Sequence, residues 1–144
     1  MTALARGIGL AFAALLLLVG GAALYVRLAP SDPARWNVDL FSPDTGNAPI
    51  STAFVEGRSP ADLLAALDRI ALSTPQTVRL AGSPAEGRIT WITRSAFWGF
   101  PDYTTAAAIG RGSLTELRIY ARQRFGRKDF GVNAARVKDW IVRL

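Results

Sequence analysis

Between Arg6 and Arg27 the chain carries twenty consecutive residues, Gly7 to Val26, without a charged or strongly polar side chain. As a helix, at about 1.5 Å per residue, this run measures roughly 30 Å, the thickness of a bilayer's hydrocarbon core. Residues 1–28 therefore read either as a transmembrane anchor or as a signal peptide. In the second case Leu10–Val19 is the apolar region, Arg6 its positive flank, and the cut falls after Ala22 or Ala23 in a stretch of small residues. Leu24, Tyr25 and Val26 continue the apolar run past that cut, and Tyr25 sits where an interfacial aromatic belongs, which favours the anchor. Only Arg6 and the α-amine precede the run. A short basic tail tends to stay in the cytoplasm, so both readings export the remainder.

That remainder suits one domain with one core. The chain contains no cysteine and no histidine. Disulfides, thiolate nucleophiles, histidine-dependent triads and His- or Cys-ligated zinc sites are thereby excluded. The expectation is no cofactor, no metal and no catalytic residue set. Net charge is +6, and 15 of the 17 basic residues are Arg. Arg binds phosphates and carboxylates bidentately. Nucleic acid is not an expected partner of an exported domain.

Residues 29–50 read as a tether, because Pro30, Pro33, Pro43 and Pro49 forbid a long helix or a central strand. Trp36, Val38, Leu40 and Phe41 interrupt its polarity, so part of it is expected to pack on the domain. From residue 51 to 144 the pattern is that of an α+β domain. Thr52–Val55 is a short strand. Ser59 caps a helix that begins at Pro60 and presents Leu63, Leu64, Leu67, Ile70 and Ala71 as one stripe. Four alternating segments follow in Thr77–Ala81, Arg88–Arg94, Asp102–Ile109 and Ser113–Arg122, with Gly110-Arg111-Gly112 as a hairpin turn. A last helix runs from about Asn133, its expected cap, to Leu144, burying Val137, Trp140, Ile141 and Leu144. The economical arrangement is a small antiparallel sheet of four or five strands packed against two helices.

Two segments are candidates for function. Thr93–Tyr103 holds four of the 14 aromatic residues around Gly99 and Pro101. Its rings either meet a membrane surface or a partner, or turn inward to close the end of the sheet. In Arg118–Asp129, alternation puts Arg118, Tyr120, Arg122 and Arg124 on one face. Adjacent guanidiniums repel unless acceptors intervene. Those acceptors are either an outside anion or the carboxylates of Asp102, Asp129 and Glu116. Asp102 and Asp129 are also the best-placed carboxyls for acid–base work.

The motifs Thr93-Arg94-Ser95, Gly99-Phe100-Pro101-Asp102-Tyr103, Tyr120 to Gly126 and Asp129-Phe130-Gly131-Val132-Asn133, with Ser31 to Trp36 behind an apolar span, resemble a bacterial family known as domain of unknown function 1499. The resemblance implies a membrane-anchored proteobacterial protein and a domain covering most of residues 31–144. It implies no activity. It singles out Arg94, Asp102, Tyr120, Arg122, Arg124, Asp129 and Asn133 as the polar positions to watch. Gln123, Arg127-Lys128 and Asn37 depart from the family pattern, Asn37 standing where a histidine is expected.

The expected protein is thus a non-enzymatic inner-membrane, single-pass protein with a periplasmic C-terminal domain, or a periplasmic protein after signal cleavage. It would serve an envelope assembly as an accessory or binding module, with an anionic ligand or a membrane-protein partner at its Arg/Tyr face. The alternative is an envelope hydrolase or transferase using Asp102 or Asp129.

Overall fold

The structure, a computed structural model, describes residues 3–46, 48–126 and 129–144. An apolar helix, α1 (Ala3–Leu28), leads into a one-turn helix, α2 (Pro33–Trp36), and a short 3-10 turn at Pro43–Thr45. The domain follows as β1 (Ser51–Glu56), α3 (Pro60–Ser73), β2 (Thr77–Ser83), β3 (Arg88–Arg94), β4 (Pro101–Arg111), β5 (Leu114–Gln123) and α4 (Val132–Val142). The five strands form one antiparallel sheet in the order β1-β5-β4-β3-β2. This is the expected α+β arrangement behind an N-terminal apolar helix. α1 is long and apolar enough to cross a membrane.

Local chemistry explains most boundaries. Ser59 Oγ accepts from the Asp62 amide at 3.1 Å, and Pro60 occupies the first helical position, so α3 starts where its cap permits. The β4–β5 hairpin turns one residue later than the glycines suggest. Gly110 and Arg111 stay in the ladder, where Arg111 pairs with Leu114, and the two-residue loop is Gly112-Ser113. Gly112 has a φ of 65°, the left-handed conformation that tight hairpins require.

One face of the sheet is a conventional core. Ile89, Trp91, Ala106, Ala108, Leu117 and Ile119 meet Leu63, Leu64, Leu67 and Ala71 of α3 and Val137 and Trp140 of α4. The Trp91 and Trp140 rings meet edge to face at 5.5 Å. Both indole N–H groups are satisfied, Trp91 by Asp68 at 2.8 Å and Trp140 by Thr74 at 2.9 Å. Asp68, buried beneath α3, also pairs with Arg79 of β2. A carboxylate there is tolerable because its oxygens have donors.

The opposite face has no helix. Residues 31–46, within the segment read as a tether, lie across it as a strap. Asp32 caps α2 through the Ala34 amide at 2.9 Å. α2 delivers Trp36 onto Tyr103 of β4, the rings stacked at 3.7 Å and 6°. Leu40 is fully buried further along. The Thr90 and Thr105 hydroxyls of neighbouring strands lie 2.9 Å apart and reach up to the strap, Thr90 donating to the Asn37 side chain and Thr105 to the Trp36 carbonyl, each at 3.0 Å. Asn37 is therefore a half-buried acceptor holding the strap to β3.

Trp36 is the strap's main attachment. Trp36→Ala should lower unfolding free energy by about 3–5 kcal/mol, the range for truncating a buried aromatic. Urea denaturation measures this, and limited proteolysis should show new cleavage between residues 31 and 46. An unchanged midpoint would mean the strap contributes nothing to stability.

Candidate functional site

β5 projects Arg118, Tyr120 and Arg122 onto the strap face, and Arg124 continues that face just beyond the strand. The strap's own carbonyls occupy this ladder. Arg118 Nη1 donates to the Leu40 carbonyl at 2.9 Å and its Nε to Glu116 at 2.7 Å, while the guanidinium lies 4.4 Å from the Phe41 ring centroid. Arg122 Nη2 donates to the Trp36 carbonyl at 2.5 Å. Arg124 Nη1 donates to the Pro30 carbonyl at 2.8 Å and sits 3.4 Å from the Tyr103 hydroxyl, which bonds Ser31 at 2.6 Å. Glu116 is shared with Arg111 at 2.8 Å, and these two guanidiniums, Arg111 foremost, hold its carboxyl below the usual range.

Arg122 differs from its neighbours. Its guanidinium lies 5.0 Å from the Trp36 ring centroid and 4.8 Å from that of Tyr120. Its Nε is buried with no partner, and no carboxylate pairs with it among the described residues. Burial pushes its pKa below the ordinary arginine value, and the positive charge of Arg35 adds to this. Arg35 is exposed and lies 5.2 Å from the same Trp36 ring. Two cations therefore share one indole. Arg35 was not among the residues expected at the site. The signal was its place beside Trp36 in the Ser31–Trp36 motif.

The expected carboxylates lie elsewhere and do not orient Arg122 or Arg124. Asp102 faces the helices and pairs with Arg136 of α4 at 3.2 Å. Arg136 also donates to Asn133 at 2.7 Å. Burial raises the Asp102 pKa, with Arg136 opposing. Asp129 accepts from the amides of Gly131 at 3.0 Å and Asn133 at 3.1 Å, which lower its pKa, Gly131 foremost. The expectation that Asn133 caps the last helix is therefore corrected. Asp129 supplies the cap, while Asn133 is buried inside α4 as an acceptor for Arg136. The physical reason is the left-handed turn at Phe130 and Gly131, φ 51° and 81°, which swings the Asp129 carboxylate under the first amides of the helix. Arg94 donates to the Gly99 carbonyl at 3.0 Å, at the aromatic end of the sheet. Arg127 and Lys128 lie outside the described residues.

Asp102 and Asp129 both line one cavity of about 310 Å³, walled by Phe100, Phe125, Phe130 and Val132. Tyr120, Arg122 and Arg35 are on the other side of the sheet. The seven residues of interest thus split three ways: Tyr120 and Arg122 under the strap, Asp102, Asp129 and Asn133 beneath α4, and Arg94 and Arg124 at the sheet's end. Among the described residues no three His, Cys, Asp or Glu side chains converge to hold a metal.

A small α+β domain behind an apolar helix, its open sheet face strapped by arginine-held backbone, defines the class. The chain belongs to the family described as protein of unknown function DUF1499, whose family model matches residues 26–144. The match starts inside α1 and takes in the strap and the whole sheet. A comparison with curated proteins finds no match.

Asp129→Asn should destabilise the protein at neutral pH by about 1 kcal/mol, within the range for weakening a helix cap. The folded-state pKa of Asp129 lies below its unfolded value. Its contribution is therefore present above the unfolded value of about 3.9 and fades as pH falls through the folded one. The gap in melting temperature between wild type and variant should close over that acid window. A gap constant with pH would mean the carboxylate's charge plays no part.

Proposed function

We propose that the protein is a non-enzymatic, membrane-anchored periplasmic domain that serves an envelope assembly as an accessory or binding module. It takes an anionic group, a phosphate or a carboxylate, at Arg122, Arg35 and Tyr120. The observation that carries this reading is the state of Arg122: a half-buried cation with an unpartnered Nε, a second cation beside it and no carboxylate. Buried charges are ordinarily paired. An anion seated against Tyr120, between Arg35 and Arg122, would relieve the repulsion between the two guanidiniums. Arg94 and Arg124 each commit a nitrogen to a backbone carbonyl at the neighbouring end of the sheet and support the positive field there. α1 supplies the anchor, and the short N-terminal tail before it stays on the cytoplasmic side, although Arg27 and Arg35 on the far side leave little charge bias.

Thermal melting of the full chain in detergent, with inorganic phosphate against chloride at matched ionic strength, tests the site. Phosphate at ten times its dissociation constant adds about 1.4 kcal/mol, a shift of roughly 3 °C or more for a domain of this size. Arg122→Gln and Arg35→Gln should both abolish the shift. The second variant is decisive, because Arg35 is exposed and its removal leaves the fold intact. No phosphate-dependent shift in the wild type would overturn the reading.

One observation favours a hydrolase or transferase instead. The two carboxyls in the 310 Å³ cavity have pKa values moved in opposite directions, Asp102 up and Asp129 down. Such a split can separate a proton donor from an ionised partner. Against it, Asp102 is tied to Arg136 and Asp129 is committed to the α4 cap. Carboxyl-carbon NMR titration should place Asp102 above and Asp129 below the ordinary aspartate value. A depressed Asp102 leaves no proton donor and ends this alternative.

A further inference from the structure

The aromatic loop between β3 and β4 lies against α1 at a depth that bears on where the domain meets lipid. Trp98 and Phe100 line a wholly apolar cleft of about 230 Å³ with Leu18, Val19, Ala22 and Val26 of α1. Eight residues of helix separate Leu18 from Arg27, which puts the two about 13 Å apart along the axis at about 1.5 Å per residue step. Leu18 to Val26 are the last residues of the apolar run, so in a spanning helix they lie inside the hydrocarbon layer. Rings that touch them lie at or below the headgroup boundary on that side.

The loop's backbone is suited to such a place. Non-helical backbone is tolerated at membrane depth only where its polar groups are satisfied by protein. Arg27, at the end of the apolar run, donates to the Phe97 carbonyl at 2.7 Å and the Trp98 carbonyl at 3.4 Å. Arg94 takes the Gly99 carbonyl, and the Ser95 and Phe100 carbonyls accept from the Gly99 and Ser95 amides, each at 3.0 Å. Gly99, with a φ of 74°, lets Arg27 close over the loop, since a Cβ there would come within 2.8 Å of its side chain. The loop's rings pack beside α1 and outward from it. Phe97 is 76% exposed, and ring contacts run from it through Trp98, Phe100 and Phe125 to Tyr25 of α1; Phe130, 93% exposed, lines the neighbouring cavity with Phe100 and Phe125. Exposed apolar patches of this kind mark interaction surfaces, and Trp is enriched at membrane interfaces.

We propose that the loop at residues 95–100 is embedded in the leaflet from which α1 emerges, its aromatic rings giving the domain a second membrane contact, with lipid acyl chains filling the cleft between Trp98, Phe100 and α1. The inference rests on reading α1 as an anchor. Continuity of the patch with α1 identifies lipid, rather than a protein, as the occupant.

The test uses the full chain reconstituted into vesicles of lipids brominated near the carbonyl end of their acyl chains. Trp36, Trp91 and Trp140 are buried in the domain at 6%, 0% and 0% exposure, so Trp98 dominates any lipid-quenched emission. The expected result is strong quenching in the wild type, its loss in Trp98→Phe, and shielding of Trp98 from aqueous acrylamide. If the protein stays in the vesicles through a carbonate wash but Trp98 is quenched by acrylamide and not by bromine, the embedded loop is overturned while the anchor stands. If carbonate strips the protein from the vesicles, the anchor fails and this inference falls with it.

Discussion

A single-layer sheet has two faces, and two helices cover only one of them. What covers the other decides the rest of this structure. The cover is the chain's own proline-rich segment, which has no ladder of its own to satisfy its carbonyls once they are buried. Arg118 and Arg122 of β5 satisfy them, and Arg124, just beyond the strand, holds the exposed carbonyl of Pro30. Pro30 meets Arg124, Trp36 meets Arg122 and Leu40 meets Arg118, so the strap runs antiparallel to β5 and is fastened at three points. A neutral donor could make one such bond. A guanidinium makes it from a long stem, stacks on the rings the strap brings down, and keeps nitrogens for a second acceptor. The same choice separates the like charges, because each one finds a different partner. Only at Arg122 is this incomplete, and there the buried Nε is left over.

Much of this was legible in the chain. The α3 stripe, the alternation of β3 and the burial of Val137 and Trp140 follow from apolar spacing, and that spacing is set by the burial that makes the core. The grouping of Arg118, Tyr120, Arg122 and Arg124 on one face follows from the two-residue period of a strand. The path of the strap did not follow, for a physical reason. Its fastenings are backbone carbonyls, which every residue carries, so no side-chain pattern marks them. The Asp129 cap was hidden similarly. Asn133 is a good capping residue in sequence, but the turn at Phe130 and Gly131 puts the Asp129 carboxylate at the first amides instead.

The separation of Asp102 from Arg122 is a matter of register. Asp102 stands opposite Gln123, and Tyr103 opposite Arg122. Cross-strand partners share a face, so Asp102 goes with the helices and Arg122 with the strap. A shift by one residue would have put the carboxylate beside the arginine, as electrostatics alone suggests. The hydrophobic face fixes the register instead. Ala106 and Ala108 must meet the core with Leu117 and Ile119, and a one-residue slip would expose them. Core burial outweighs one ion pair, and Asp102 finds Arg136 on its own side.

The connection between α1 and the domain bears on both halves of the molecule. Only Ala29 separates the end of α1 from Pro30, the first fastened carbonyl of the strap, and Ala29 is itself buried. A flexible linker would let the domain explore a wide volume above its anchor. Here Arg27 is bonded to the loop ahead of β4, Tyr25 touches Phe125, and Pro30 is held by Arg124. The helix, the aromatic loop and the strap therefore form one rigid corner. The corner fixes the tilt of the sheet relative to α1, and with it the direction in which Arg35 and Arg122 face. Seven residues separate Arg27 from Arg35, and at about 3.5 Å per residue step the chain from one to the other reaches at most about 28 Å. The one-turn helix α2 shortens that span further. With α1 as the proposed anchor, the proposed anion site would be held at a constant height above the membrane, which suits a group presented there and suits poorly a ligand that must be captured from any direction.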